Sequence, residues 1–485
     1  MEQKSIQTNA IYNVIKSAAA VIFPLITFPY ASRVLLADGI GKVNFSLSVV
    51  SYFTLISSLG LTTYAIRECA GARNNKDKLG RVASELFSIN MMTTLIAYVL
   101  LGLTLLFAKP LQEYRTLIII QSSAILFTTL GTDWLNSAME DFRYITLRTV
   151  GFQILSLALL FAFVRTPDDY IKYAIITVIS GSGSNVLNIF YRRRYCRVRL
   201  TTKLQLKKHF FPILWMFVML LSQNIFNQAD ITMLGLMRSD NEVGLYSASI
   251  KIYTIVNQVI TSVLWVVLPR LSVYYTEQNR EQLSALLRKI LGFITVLGLP
   301  CATGVFLLSE EVITIVGGET YQAAAPALRI LMLALLFSLY GGGFLGNMIM
   351  LPSKRERYFM IACCITAFVN VVTNGIFIPY FGIRAAAATT ALSELLLLII
   401  LALKIGKEVR IGGLRALFAA PLLGCVVIVA STLTICHFVP DLWIRTILSI
   451  ACGAIGYGVV LVVCKNEIAQ LLMVFVKDKL LKKQR

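Results

Sequence analysis

The chain has 485 residues, of which 57% are hydrophobic and only 14% are charged, and its mean hydropathy is +0.74. Soluble domains carry about 25% charged residues, so this composition excludes a soluble globular protein and indicates a membrane protein. A net charge of +20 can signal nucleic-acid binding, but here the basic residues lie in short loops between apolar segments. We therefore expect no nucleic-acid partner.

Apolar segments recur along the whole chain without a long polar interval. A membrane-spanning helix takes about 20 such residues, and about fourteen segments qualify. The predicted fold is therefore an all-α polytopic membrane protein. The predicted spans are residues 11–35, 40–63, 82–107, 116–138, 145–164, 170–191, 212–236, 243–268, 286–308, 326–350, 358–379, 382–403, 414–437 and 442–464.

A basic loop divides the first twelve spans into two sets of six, with the last two spans as an appendage. The second and eighth spans open with similar motifs, IGKVNFSLSV (40–49) and VGLYSASIKI (243–252), at matching positions of the two halves. Two parallel six-helix lobes of this kind are a transporter architecture. The predicted domains are a first lobe (1–191), a cytoplasmic linker (192–211), a second lobe (212–404) and the two extra helices with a basic tail (405–485).

The loop charges predict the orientation of the chain in the membrane. Most of the 45 Lys and Arg residues fall on alternate loops, such as 67–81 and 192–208, if both termini are cytoplasmic. The tail at 474–485 is basic and partly amphipathic, so it lies along the inner leaflet or extends into solvent.

Groups for metal, redox or covalent chemistry are sparse. The nine cysteines include no CxxC pair, and the two histidines are far apart in sequence, so we expect no metal and no cofactor. The loops are too short for a catalytic or nucleotide-binding domain, which argues against an enzyme. The sequence GGGFLG (341–346) lies within a span and predicts close helix packing or a local helix break.

Two charged residues lie inside predicted spans, where water should be absent. Asp230 occurs in NQADITMLG and Lys251 in VGLYSASIKIY, each about 10 Å from the outer end of its helix. The two side chains either pair and neutralise each other, or Lys251 binds an anionic substrate group while Asp230 tunes it or carries a coupling proton or cation.

Polar side chains follow single faces of several spans at helical spacing, as Ser247, Lys251, Thr254 and Gln258 do in the eighth. Such stripes predict a water-filled cleft between the two lobes. The polar residues predicted to line it are Asn44, Ser48, Asn227, Thr254 and Gln258.

Further charges lie at or within the spans. Arg33, Arg67 and Arg148 either extend toward the interface or guide an anionic head group. Asp133 and Glu394 either take part in ion coupling or form hydrogen bonds inside packed protein.

Several motifs together resemble the polysaccharide transporter family of Wzx-type O-antigen and capsule repeat-unit flippases. This family belongs to the multidrug/oligosaccharidyl-lipid/polysaccharide superfamily, which also holds lipid II flippases and multidrug exporters. The motifs that carry the resemblance are ITFPYASRVL with GIGKVNFSLSVVSYF (26–53), NQADITMLGLM (227–237), VGLYSASIKIY (243–253), LPRLS (268–272) and VGGETYQAAAPALRIL (316–331).

The resemblance implies transfer of an undecaprenyl-diphosphate-linked oligosaccharide across the bacterial cytoplasmic membrane by alternating access, coupled to H⁺ or Na⁺. Its implied partners are the lipid-linked oligosaccharide, membrane lipids, and polymerase and chain-length proteins of the same pathway. Many repeat-unit flippases have twelve spans, whereas lipid II flippases have fourteen, so a lipid II flippase stays open. So do a multidrug or cation antiporter and, from another class, a repeat-unit polymerase.

Overall fold

The computed structural model of the protein describes residues 6–202, 204–277, 279–405 and 412–470. Within these ranges the regular structure is helical, without strands, which confirms the predicted all-α fold. The described residues form two compact units, one ending at Ser247 and the other beginning at Ala248. The predicted lobe boundaries stay a prediction, and the predicted amphipathic tail at 474–485 lies outside the described residues.

The first unit is organised around its long N-terminal helix, α1, which packs against most of the other helices of the unit. Leu36 interrupts this helix with a left-handed backbone (φ 58), so the predicted spans 11–35 and 40–63 are two helical segments that join there. The helices are α1 (Ile6–Ser58), α2 (Leu61–Ala72), α3 (Lys76–Phe107), α4 (Arg115–Gly131), α5 (Asp133–Ala138), α6 (Phe142–Phe163), α7 (Tyr170–Val178), α8 (Asn185–Tyr191), α9 (Leu206–Met237) and the first turns of α10 (Asp240–Thr276).

The second unit contains the rest of α10, which bends by 53° between Ser262 and Val267. Pro269 explains the bend, because proline has no N–H to donate to the carbonyl group of Trp265. The other helices are α11 (Arg280–Leu307), α12 (Ser309–Gly317), α13 (Ala325–Ser338), α14 (Glu356–Phe381), α15 (Ile383–Ile405), α16 (Leu414–Phe438) and α17 (Leu442–Val463).

A π-helix at Leu339–Met350 contains the glycine-rich sequence GGGFLG. A Cβ atom on Gly341 would lie 3.1 Å from the backbone of Leu398, and one on Gly346 would lie 2.5 Å from the ring of Phe359. The predicted close packing is therefore present, and the helix continues through this sequence as a π-helix instead of breaking.

Ten helices of the described chain are long and apolar enough to cross a membrane, or eleven if the bent α10 is one span. Two predicted spans fall in one continuous stretch, Ile11–Ala72, and another falls on α4, which is shorter than a full span. A multi-pass membrane protein is confirmed, whereas the count of fourteen stays a prediction.

Two glycines from the similar motifs of the second and eighth spans meet at a backbone crossing in the first unit. A Cβ atom on Gly41 would lie 1.8 Å from the carbonyl oxygen of Asp240, and one on Gly244 would lie 1.9 Å from that of Ala37. Asp240 lies four positions before Gly244, and Ala37 lies four positions before Gly41, so the two contacts are reciprocal. The motif similarity reflects this close contact, because only glycine permits it.

We expect Gly41→Ala and Gly244→Ala each to destabilise the protein by about 2 kcal/mol or more, because a carbonyl group of the backbone cannot move aside cheaply. Gly71→Ala is the matched control, since α2 is helical there and nothing lies within 4 Å of the place that the added methyl group would take. Thermal unfolding of the purified protein in detergent measures the effect. Equal melting temperatures for all three variants would contradict the crossing.

Candidate functional site: charged and polar groups of the membrane helices

Asp230 is buried in α9, with 4% of its surface exposed, and it accepts a hydrogen bond of 2.6 Å from the hydroxyl group of Tyr246. Both residues belong to the first unit. The phenol supplies a polar partner that the surrounding hydrocarbon side chains cannot offer. Pairing of Asp230 with Lys251 would join residues of different units and stays a prediction.

Hydroxyl groups join α1 to α9 beside Asp230. Thr232 donates to the Oγ atom of Ser48 at 2.9 Å, and the hydroxyl oxygens of Tyr52 and Thr232 lie 3.2 Å apart. Ser48 is buried and Asn44 is half-buried, whereas Asn227 is exposed. Of the predicted polar residues in this unit, Ser48 is therefore part of the packed contact between helices.

Arg148 and Asp133 form an ion pair of 2.6 Å within the first unit. The side chain of Arg148 is 2% exposed and that of Asp133 is 35% exposed. Thr132 breaks the chain between α4 and α5 with a left-handed backbone (φ 48), which places Asp133 at the first position of α5. The structure thus brings together a predicted substrate-binding cation and a predicted ion-coupling carboxylate.

Buried amides extend this ion pair. Asn136 donates to Asp133 at 3.2 Å and to Asn188 at 2.7 Å, and Asn188 donates to the carbonyl oxygen of Gly131. The network connects α4, α5, α6 and α8 through side chains that are otherwise costly in a membrane. Because Asp133 already neutralises Arg148, this pair is suited to fixing helix positions or to releasing one partner when an ion binds.

The other two arginines lie apart from this network. Arg33 is exposed on α1, and Arg67 is exposed on α2 with its guanidinium carbon 5.5 Å from the centre of the Tyr64 ring. Exposed cations of this kind are accessible to an anionic group.

In the second unit, Glu394 is buried on α15 and lies 3.4 Å from the hydroxyl group of Tyr253, which donates to it. Lys251 is half-buried on α10 and Gln258 is exposed. Thr254 donates to the carbonyl oxygen of Ile250 in its own helix. The second unit therefore contains one of the predicted substrate-binding cations, Lys251, and one of the predicted ion-coupling carboxyl groups, Glu394.

Tyr246 and Tyr253 are site residues that the sequence prediction missed. Each stands in the motif that carries Lys251, and each donates to a buried carboxyl group. A tyrosine hydroxyl that is buried usually forms a hydrogen bond with a polar group. Tyrosines within an apolar span could therefore have been predicted to pair with the in-span carboxyl groups.

We expect Asp133→Ala to lower the free energy of unfolding by about 2 to 3 kcal/mol, because it leaves the guanidinium group of Arg148 buried without its carboxylate. Glu140→Ala is the matched control: Glu140 pairs with Arg73 at 2.9 Å, but both side chains are exposed, so its loss should cost under about 1 kcal/mol.

Chemical unfolding in detergent, followed by tryptophan fluorescence, compares these variants. The double variant Asp133→Ala/Arg148→Met should recover part of the loss, because it removes the unpaired charge. A double variant no more stable than Asp133→Ala would contradict this explanation.

Comparisons with known proteins show what the chain resembles. The family model described as "Polysaccharide biosynthesis protein" matches residues 6–275, and the model MatE matches residues 216–376. A protein of Escherichia coli (strain K12) named as an O-antigen transporter is 22% identical over 361 residues, which are 73% of this chain and 86% of that one.

Two further similarities extend the comparison. A protein of Haloferax volcanii named as a low-salt glycan biosynthesis flippase is 24% identical over 168 residues, which are 34% of each chain. The structure of the lipid II flippase MurJ in an inward closed conformation superposes with a TM-score of 0.74 at 15% identity, covering 96% of this chain and 99% of that one. This last likeness shows a shared fold.

Proposed function

Because the chain belongs to the polysaccharide biosynthesis protein family and is a polysaccharide transporter of the multidrug/oligosaccharidyl-lipid/polysaccharide superfamily, we propose that it is a repeat-unit flippase. Its substrate is an undecaprenyl-diphosphate-linked oligosaccharide, which it moves from the cytoplasmic to the outer leaflet of the bacterial cytoplasmic membrane. The family match over residues 6–275 carries this proposal.

The physical task is to take a diphosphate bearing sugars across about 30 Å of hydrocarbon while the lipid tail stays in the bilayer. No bond breaks, so the protein has to replace the water around the head group rather than supply a nucleophile. Cationic groups serve the diphosphate, and amides and hydroxyls serve the sugars.

The residues we assign to these roles follow from their exposure and partners. Arg33, Arg67 and Lys251 bind the diphosphate, and Arg148 joins them only if it leaves Asp133. Asn44, Asn227, Thr254 and Gln258 contact the sugars, whereas Ser48 stays in the packed contact between α1 and α9. Asp230, Asp133 and Glu394 couple an H⁺ or Na⁺ gradient to alternating access, and polymerase and chain-length proteins of the pathway receive the product.

A lipid II flippase is the second candidate, and the helices α16 and α17 favour it. These two helices come after the twelve predicted spans of the two lobes, and lipid II flippases have fourteen spans. Both candidates carry a polyprenyl diphosphate with a different saccharide, so the substrate panel of the assay separates them.

Purified protein in proteoliposomes should transfer a fluorescent lipid-linked oligosaccharide between leaflets, read as accessibility to an external quencher. We expect Lys251→Ala to slow transfer about tenfold or more, because a charge-assisted contact with the head group is lost. Lys251→Arg should retain most transfer because the positive charge remains.

Lys289→Ala is the matched control, since Lys289 is an exposed lysine on α11 of the same unit. Normal transfer by Lys251→Ala would remove Lys251 from the mechanism. Wild-type protein that transfers only lipid II would favour the second candidate, and transfer of organic cations alone would contradict both.

A further inference from the structure

A strongly basic cavity of about 1170 Å³ lies in the first unit, and none of the residues assigned to the proposed function lines it. It is formed by the start of α3 and by the chain that follows α8. We call it the basic cavity; its cationic lining residues, all of them exposed, are Lys76, Arg81, Arg193, Arg194, Arg197 and Arg199.

The wall of this cavity is held in place by hydrogen bonds between backbone and hydroxyl groups. The N–H group of Arg199 donates to Ser84 Oγ at 3.1 Å, and that of Thr201 donates to Ser88 Oγ at 2.9 Å. Two residues of the linker thus lie against successive turns of α3. The backbone that carries Arg199 is therefore fastened to α3.

The cavity carries an excess of positive charge. Asp77 and Glu85 are the carboxylates in its lining, and Glu85 lies 3.2 Å from Nε2 of His209, whose Nδ1 contacts the hydroxyl of Tyr64 at 2.8 Å. Among the described residues, none of the six cations forms an ion pair with a carboxylate. Six basic and two acidic residues leave a formal excess of four positive charges, which calls for an anionic ligand.

An apolar groove of about 630 Å³ continues from the basic cavity along α3. Its lining includes Met91, Met92, Leu95, Tyr98 and Leu126, and we call it the apolar groove. The side chains of Met92 and Leu95 are 49% and 66% exposed.

The two cavities share one wall, formed by Leu200, Thr201, Thr202 and Leu204. Ser84 lines the basic cavity and Ser88, one helical turn further along α3, lines the apolar groove. A ligand can therefore pass from a cationic chamber into an apolar one without leaving the protein surface.

We propose that the basic cavity and the apolar groove together bind one polyisoprenyl diphosphate lipid, with its phosphates among the cations and its chain in the groove. The excess of several positive charges matches a diphosphate better than the single charge of an ordinary phospholipid. This inference rests on the proposed function, since it assigns the place where that lipid docks on the side of the basic loops before transfer.

The test measures equilibrium binding of tritiated farnesyl diphosphate to the full chain in detergent at physiological ionic strength. The variant Arg81→Ala/Arg199→Ala should weaken binding about tenfold or more. Met92→Asn/Leu95→Asn should weaken it as well, since it makes the groove polar. Lys78→Ala/Arg143→Ala removes the same charge from exposed residues outside the cavity and should leave affinity within about twofold.

Arg81→Lys/Arg199→Lys keeps the charge and should retain most binding, which separates loss of a ligand contact from loss of folding. Three competitors should each displace the probe only weakly. Inorganic diphosphate lacks the isoprenyl chain, farnesol lacks the phosphates, and phosphatidylglycerol lacks the second phosphate.

Competition by inorganic diphosphate or by phosphatidylglycerol as strong as that of unlabelled farnesyl diphosphate would overturn the proposal, as would unchanged binding in Arg81→Ala/Arg199→Ala. Binding lost in Lys251→Ala but kept in the cavity variants would also overturn it. Binding is measured without transport, so protein that binds the probe but transfers no lipid-linked oligosaccharide would contradict the proposed function and leave the docking site standing.

Discussion

The absence of water in the bilayer is the constraint on which the rest of this structure depends. A polar group that leaves water without a partner costs several kcal/mol, so each buried carboxyl group needs a donor from the protein. Tyr246 meets this need for Asp230, and Tyr253 meets it for Glu394. For the buried guanidinium group of Arg148, the carboxylate of Asp133 is the partner. Asp230, Glu394 and the Arg148–Asp133 pair are thus tied to the packing of their own unit.

A close backbone contact also joins α1 to the start of α10, two residues before Tyr246. At the reciprocal crossing of Gly41 and Gly244, α1 and the start of α10 approach at a distance that no side chain permits. In membranes, where apolar burial does not distinguish lipid from protein, small residues and interhelical hydrogen bonds supply the attraction. The glycine crossing is an example of the first kind of attraction, and the hydroxyl contacts between α1 and α9 are an example of the second.

Hydropathy predicted the all-α membrane fold because every spanning segment must satisfy its own backbone in a helix. The glycine-rich sequence at 341–346 likewise predicted the close packing against Leu398 and Phe359, although the helix continues there as a π-helix instead of breaking. The predicted break between spans 11–35 and 40–63 falls at Leu36, but the left-handed backbone of this residue was not predicted, since leucine has no preference for that conformation and the tertiary fold imposes it. Local sequence also does not determine which side chains of α5 and α6 face each other. The ion pair of Asp133 with Arg148 could therefore not be predicted.

Polar stripes were the least specific signal in the sequence. Thr254 and Ser48 both lie on such stripes, yet each donates to a carbonyl group of its own helix, a bond that a hydroxyl in hydrocarbon forms readily. A stripe of hydroxyl groups is therefore compatible with a helix face that packs against other helices as well as with one that lines a water-filled cleft. Charged and amide groups carry more information, because they cannot be satisfied in this way.

The central claim is that buried polar groups are paired within their own unit, and a double-mutant cycle on Asp230 and Tyr246 tests it most directly. Asp230→Asn, Tyr246→Phe and the double variant would be unfolded chemically in detergent. A coupling energy of about 1.5 to 3 kcal/mol is expected for a hydrogen bond to a buried carboxylate. Additive effects of the two substitutions would show that the carboxyl group has its principal partner elsewhere and would contradict the account.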